Sequence, residues 1–149
     1  GAPTWWRSAC PCFKGSSQGV VALAQALQHN TSLTSLNLRR NPVGPLGAAV
    51  LGEALGESTS LQSLNLVYCD IGPQGAVALG RALQHNISLK SLELDGNWVE
   101  AMGAVAIAVA LRSNASLESL SMQRCKLSPD AAKAMSEVAK MRTTLKIVY

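Results

Sequence analysis

The residues of this chain able to do chemistry are two histidines, four cysteines and three Asn-x-Ser/Thr tripeptides. A histidine pair suggests metal binding or proton transfer, and His29 and His85 stand at equivalent places in similar segments. No Asp, Glu or Cys recurs beside them, whereas nucleophilic catalysis needs a nucleophile, a base and an orienting group together. Both follow a helical pattern, and a helix C-terminus favours a cationic side chain. Cys10-Pro11-Cys12 lacks the second ligand pair that structural zinc requires. Cys69 and Cys125 occupy one place in the pattern two units apart, so on strands ~4.8 Å apart they stand roughly 10 Å from each other. That exceeds the ~7 Å reach of a disulfide between Cα atoms, and both are read as buried, reduced thiols. Asn30-Thr31-Ser32, Asn86-Ile87-Ser88 and Asn114-Ala115-Ser116 match glycosylation acceptors, but Asn is also the natural non-glycine residue for a left-handed helix stop. Capping is the reading preferred. No G-x-x-x-x-G-K-[ST] loop is present to cradle phosphate. The residues imply no enzyme, no metal and no cofactor.

Those residues recur because the chain repeats. Units of 28 residues begin at Leu33, Leu61, Leu89 and Leu117. A period of this length denotes a solenoid whose units bury their apolar faces only by stacking on one another. Each opens with L-x-S-L-x-L or a close variant, and its last two apolar positions alternate as in a short strand with one face buried. The ninth position runs Asn41, Cys69, Asn97, Cys125. It is expected to turn inward, where an Asn amide can satisfy backbone groups left unpaired by the turn. The second half is helical: Pro45, Pro73 and Pro129 stand at the first helical residue, where proline costs least, and Ser128 is a plausible N-cap. Ala48, Leu51, Ala54 and Leu55 form the apolar stripe, repeated in later units. Gly47, Gly75 and Gly103 are expected to let helix and strand layers approach.

Run backwards, the period recovers a helix within residues 18–32, while its strand half would fall on residues 5–10, where leucines are absent. Residues 1–14 therefore read as a degenerate N-terminal segment or cap and 15–149 as the repeat domain, with four full units and partial first and last ones. The opening Gly1 suggests a fragment or a processed form.

Composition supports a single folded domain: nearly half the residues are apolar and 15% are charged. The net charge of +4 is mild and scattered, without the clustered cations and stacking aromatics of a nucleic-acid binder. The longest uncharged apolar run, 101–111, has 11 residues against the roughly 20 that span a bilayer, so no membrane insertion is expected. Reduced thiols and the lack of an apolar leader point to the cytoplasm.

Against the constant leucines, the outward strand positions vary, as a readout surface over a fixed core would. The partner-binding candidates on this concave face are Asn37, Arg39, Arg40, Asn65, Tyr68, Glu93, Asp95, Trp98, Gln123 and Arg124. Tyr68 and Trp98 favour binding, because aromatics are enriched in interface hot spots. An alternative convex patch comprises Val77, Val105 and Val109, with Ala108 also outward, and offers a route to self-association.

L-x-x-L-x-L-x-x-[NC], followed by G-x-x-G-A and A-L-x-x-A-L, resembles the ribonuclease-inhibitor-type leucine-rich repeat. The tails LQHNTSL, LQHNISL and LRSNASL resemble the C-terminal repeats of NOD-like receptors. The resemblance implies an α/β solenoid, a right-handed horseshoe with parallel concave strands and convex helices, and a cytosolic protein that binds proteins in a regulatory or innate-immune sensing role. One rival is a small-GTPase-activating protein, a family sharing this repeat, for which Arg39-Arg40 could supply an arginine in trans. The other is a ribonuclease inhibitor, which would present an acidic surface, whereas this face is near neutral.

Overall fold

The computed structural model describes residues 17–149. The proposed cap, its strand at 5–10 and Cys10-Pro11-Cys12 lie outside the described residues. Helices and strands alternate throughout: α1 (Ser17–His29), β1 (Ser35–Asn37), α2 (Gly44–Glu57), β2 (Ser63–Asn65), α3 (Gly72–His85), β3 (Ser91–Glu93), α4 (Glu100–Ser113), β4 (Ser119–Ser121), α5 (Pro129–Met141) and β5 (Lys146–Val148). The strands form one open parallel sheet in chain order. Each helix packs on the next, and the apolar core lies between the two layers. This is an α/β leucine-rich-repeat solenoid.

Register follows the repeat from β1 to β4, so that Leu36, Leu64, Leu92 and Leu120 form one buried column. At β5 it slips. Lys146 faces Ser119 and Ile147 faces Leu120, one residue short of the period. A slip of one residue exchanges the two faces of a strand, so Ile147 takes the core position that the period assigns to Val148. Ser128 caps α5, its hydroxyl accepting from the Ala131 N–H at 3.2 Å.

The glycines serve helix–helix contact rather than the helix–strand approach expected. A Cβ on Gly103 would lie 2.6 Å from that of Ala76 on the preceding helix, and one on Gly80 would lie 3.0 Å from the Ala106 carbonyl on the following helix. The sheet sets a spacing near 5 Å between units at the strands, and small residues in the helical layer let the helices stack closely.

Two polar ladders run through the interior. Asn97 is fully buried. Its Oδ1 accepts from the N–H groups of Cys69 (3.0 Å) and Ile71 (3.1 Å), and its Nδ2 donates to the carbonyls of Leu66 (2.7 Å) and Leu94 (2.9 Å). One side chain thus closes the turn of its own unit and of the unit before. A thiol has one donor, and Cys69 and Cys125 each reach one carbonyl of the preceding unit, Leu38 at 3.0 Å and Leu94 at 3.1 Å. Burial pushes both thiols up to about 11, desolvation outweighing the backbone donors that favour the thiolate.

The second ladder lies at the helix C-termini and corrects the expected left-handed stop. Asn86 and Asn114 have extended backbones (φ −70° and −69°). Their Nδ2 groups reach back to the preceding unit, Asn86 to the Leu55 carbonyl at 2.6 Å and Asn114 to that of Leu83 at 2.7 Å. Both are buried, which leaves no room for a glycan in this fold, while Asn30 is exposed.

The left-handed residues lie instead in the turns after the strands: Arg40 (φ 59°), Tyr68 (54°), Gly96 (70°) and Arg124 (57°) at one repeat position, with Asp70, Glu100 and Lys126 nearby.

Removing the Asn97 amide orphans several buried backbone groups. Asn97→Ala is expected to lower unfolding free energy by about 2–4 kcal/mol, read by denaturant melts, since each orphaned group costs ~1–3 kcal/mol. The thiols give a second check. Their folded pKa exceeds the unfolded one, so their contribution is complete below the ordinary thiol pKa and is lost as pH rises towards about 11. Cys69 and Cys125 should alkylate only on unfolding, and the melting temperature of the protein should fall over that alkaline window more than that of a Cys69→Ala/Cys125→Ala variant. The turns give a third. Arg40→Gly relieves a left-handed side chain and should leave stability unchanged or raise it by up to about 1 kcal/mol in the same melts.

Candidate functional site

The sheet presents an array whose outward residues fall into columns. Asn37, Asn65 and Glu93 project from strands. Arg39, Arg40, Tyr68, Asp95, Gln123 and Arg124 lie one step further on, in the turns, because each strand spans only three residues. The parallel hydrogen bonding nevertheless continues through those turns: Arg40 N–H donates to the Val67 carbonyl (2.8 Å), Tyr68 to Asp95 (2.9 Å) and Gly96 to Gln123 (2.8 Å). The turn side chains are therefore held at strand spacing.

Half-buried acids tie neighbouring units together. Glu93 accepts from Asn65 Nδ2 at 2.7 Å. Asp95 Oδ1 accepts from the Ser121 hydroxyl at 2.6 Å and the Gln123 N–H at 2.9 Å. Asn65 and Asn37 also brace their own turns, accepting from Val67 N–H and Arg39 N–H. These candidates form a bonded scaffold within the array.

A second set stands clear of it. The Tyr68 ring lies across Gly96, where any Cβ would overlap it, and its hydroxyl accepts from Arg124 Nη1 at 2.9 Å. One tyrosine thus reaches past a whole unit to an arginine two units away. The Arg40 guanidinium stands 6.0 Å from the centre of the same ring. Trp98, 61% exposed and in the loop after β3, carries the Lys126 ammonium 3.9 Å over its ring. Lys126 is missing from the sequence candidates, yet it follows Trp98 by one period, and that adjacency is the signal that could have found it.

The geometry of this cluster is costly. Arg40, Tyr68 and Arg124 adopt a conformation that Gly96 takes freely and that costs an L-residue ~1–2 kcal/mol. Large side chains kept at strained positions mark functional candidates.

The convex candidates are simpler. Val105 and Val109 are exposed and join exposed Met102 along α4, while Val77 is half-buried. Ala108, expected outward, is buried in the core. Between α2 and α3 an open groove of about 470 Å³ runs over Gly52 and Gly56, with Glu53 on one wall and Arg81 and His85 on the other. His29 and His85 both sit exposed in the last turns of their helices, and no metal-binding cluster occurs among the described residues.

The chain matches the leucine-rich repeat family model four times, over residues 29–52, 57–80, 85–108 and 113–136. No curated protein matches it. Among solved structures it resembles actin-binding site 2 of leiomodin-1, with TM-score 0.77 and 24% identity over 88% of this chain and 77% of that one. It also resembles the C-terminal domain of tropomodulin from Caenorhabditis elegans, with TM-score 0.74 and 16% identity over 89% of this chain and 81% of that one. At these identities the likeness is one of fold. The four matched segments span most of the chain, which belongs to the leucine-rich repeat family.

Proposed function

We propose that this protein is a non-catalytic protein-binding module with a regulatory role, and that it meets its partner on the turn edge of the parallel array. The observation that carries this reading is the strained cluster in which Tyr68 spans Gly96 to reach Arg124. Side chains already held by the fold lose little freedom on binding, so their contacts convert efficiently into affinity. The same scaffold in leiomodin-1 is an actin-binding site, which makes actin the first named partner to try, by co-sedimentation with filaments. The resemblance of the tails to the C-terminal repeats of NOD-like receptors favours a sensing role instead, and the buried reduced thiols favour a cytoplasmic setting. No described helix is long and apolar enough to cross a membrane.

Cross-linking in cells followed by calorimetry on the recovered partner tests the assignment of the face. Tyr68→Ala and Trp98→Ala should each weaken binding by more than ~1 kcal/mol with little change in melting temperature. Val105→Lys should leave affinity intact. The reverse pattern would move the site to the convex face and make α4 the contact, including a contact between copies.

A further inference from the structure

Formal charge is near balance across the strand face, but the two signs are used differently. The acids on the array itself are engaged: Glu93 by Asn65, Asp95 by Ser121 and Gln123, and Glu118 by Lys90 in an ion pair of 3.1 Å. The cations of the turn edge meet only neutral groups. Arg124 donates one N–H to the Tyr68 hydroxyl, Lys126 rests on the Trp98 ring, and Arg40 faces the Tyr68 ring. Among the described residues none of these three cations is paired with a carboxylate. Each is exposed and keeps hydrogen-bond donors that these contacts leave free, and each rests against an aromatic side chain. Asp70 lies exposed in a neighbouring loop and Glu100 exposed at the start of α4, so the edge selects by the free donors of its cations more than by its overall field.

We propose that this edge binds an acidic, extended segment of a protein partner, whose carboxylates are taken by Arg40, Arg124 and Lys126 while its backbone passes over Tyr68 and Trp98. The inference rests on the protein-binding reading above and names the chemistry of the partner. Spacing supports it. Arg40 and Arg124 lie three strand spacings apart at the backbone, about 14 Å along the array. Their guanidinium groups both meet the Tyr68 side chain between them, one 6.0 Å from the ring centre and the other 2.9 Å from the hydroxyl, so the cationic ends stand closer together than their backbones. An extended chain rising ~3.3 Å per residue spans the backbone interval in about four residues, so two acidic side chains within such a stretch can meet both guanidinium groups, with Lys126 following Arg124 in the same loop. Arginine suits the task because its planar fork receives both carboxylate oxygens at once.

The test uses the whole chain and a fluorescent oligoglutamate peptide at low ionic strength, read by anisotropy. A Gly-Ser peptide, an oligolysine peptide and single-stranded oligothymidylate of matched length serve as comparisons. Oligoglutamate alone should bind, and added salt should weaken it. Arg124→Gln and Lys126→Gln should each weaken it about three- to fivefold with an unchanged melt, whereas Arg81→Gln on the convex side should have no effect. Tighter binding of oligothymidylate would overturn the proposal in favour of a nucleic acid. Oligoglutamate binding no better than Gly-Ser, or indifferent to Arg124 and Lys126, would overturn it outright. If the Tyr68→Ala variant still loses its cellular partner in that case, the protein-binding reading stands and only the acidic chemistry falls.

Discussion

Each unit of this protein completes its hydrogen bonding with groups from the next, and everything else in the structure depends on that borrowing. A single unit has a three-residue strand and a short helix, neither able to satisfy its own turn. Asn97 resolves this for two turns at once by taking two N–H groups and giving to two carbonyls. Asn86 and Asn114 do the same at the opposite edge of the sheet. Leucine burial drives the stacking, but leucines tolerate sliding. The amides do not, because an unmatched buried donor costs ~1–3 kcal/mol. The ladders therefore hold the units in a single register.

That division of labour explains what could be read from the sequence. Strand leucines, helix stripes, the inward Asn/Cys position and the Ser128 cap were legible because each follows from periodicity and side-chain inventory. The errors fall where backbone conformation is decided by neighbours. Asn86 and Asn114 suggest left-handed stops, a local habit of the residue, but the carbonyls at the end of the preceding helix draw the side chains inward on an extended backbone. The left-handed positions went instead to Arg40, Tyr68 and Arg124, residue types that give no local hint of it. Gly96, at the same repeat position, was the one clue. Helical spacing puts Ala108 outward, yet the neighbouring units bury it in the core. The slip at β5 was equally hidden, since Leu145 keeps the period and only the pairing reveals the shift.

The candidate site was legible as a list of columns but not as two kinds of residue. From sequence, Asn65, Glu93 and Asp95 look as available as Tyr68 and Trp98. In the fold the first three bond across units and stabilise the array, while the aromatics stand clear with cations against them. Lys126 escaped notice because a cation–π contact joins positions one period apart, a relation that a list of outward residues does not display.

The site also inverts the usual relation between strain and stability. The ladders that hold the register are fully satisfied and unstrained, and they lie inside. The strain lies between strand and helix, where Arg40, Tyr68 and Arg124, with Asp70, Glu100 and Lys126 after them, occupy a backbone state that glycine would adopt more cheaply. Such a state persists only where the surrounding structure over-determines it, and the hydrogen bonds from Arg40 to Val67 and from Tyr68 to Asp95 supply that constraint. A rigid interior thus makes a strained edge sustainable, and the strained edge sets the Tyr68 ring across Gly96. The platform for the arginines is therefore in place before any partner arrives. Repetition supplies the stiffness, and the proposed recognition rests on departure from repetition at one column.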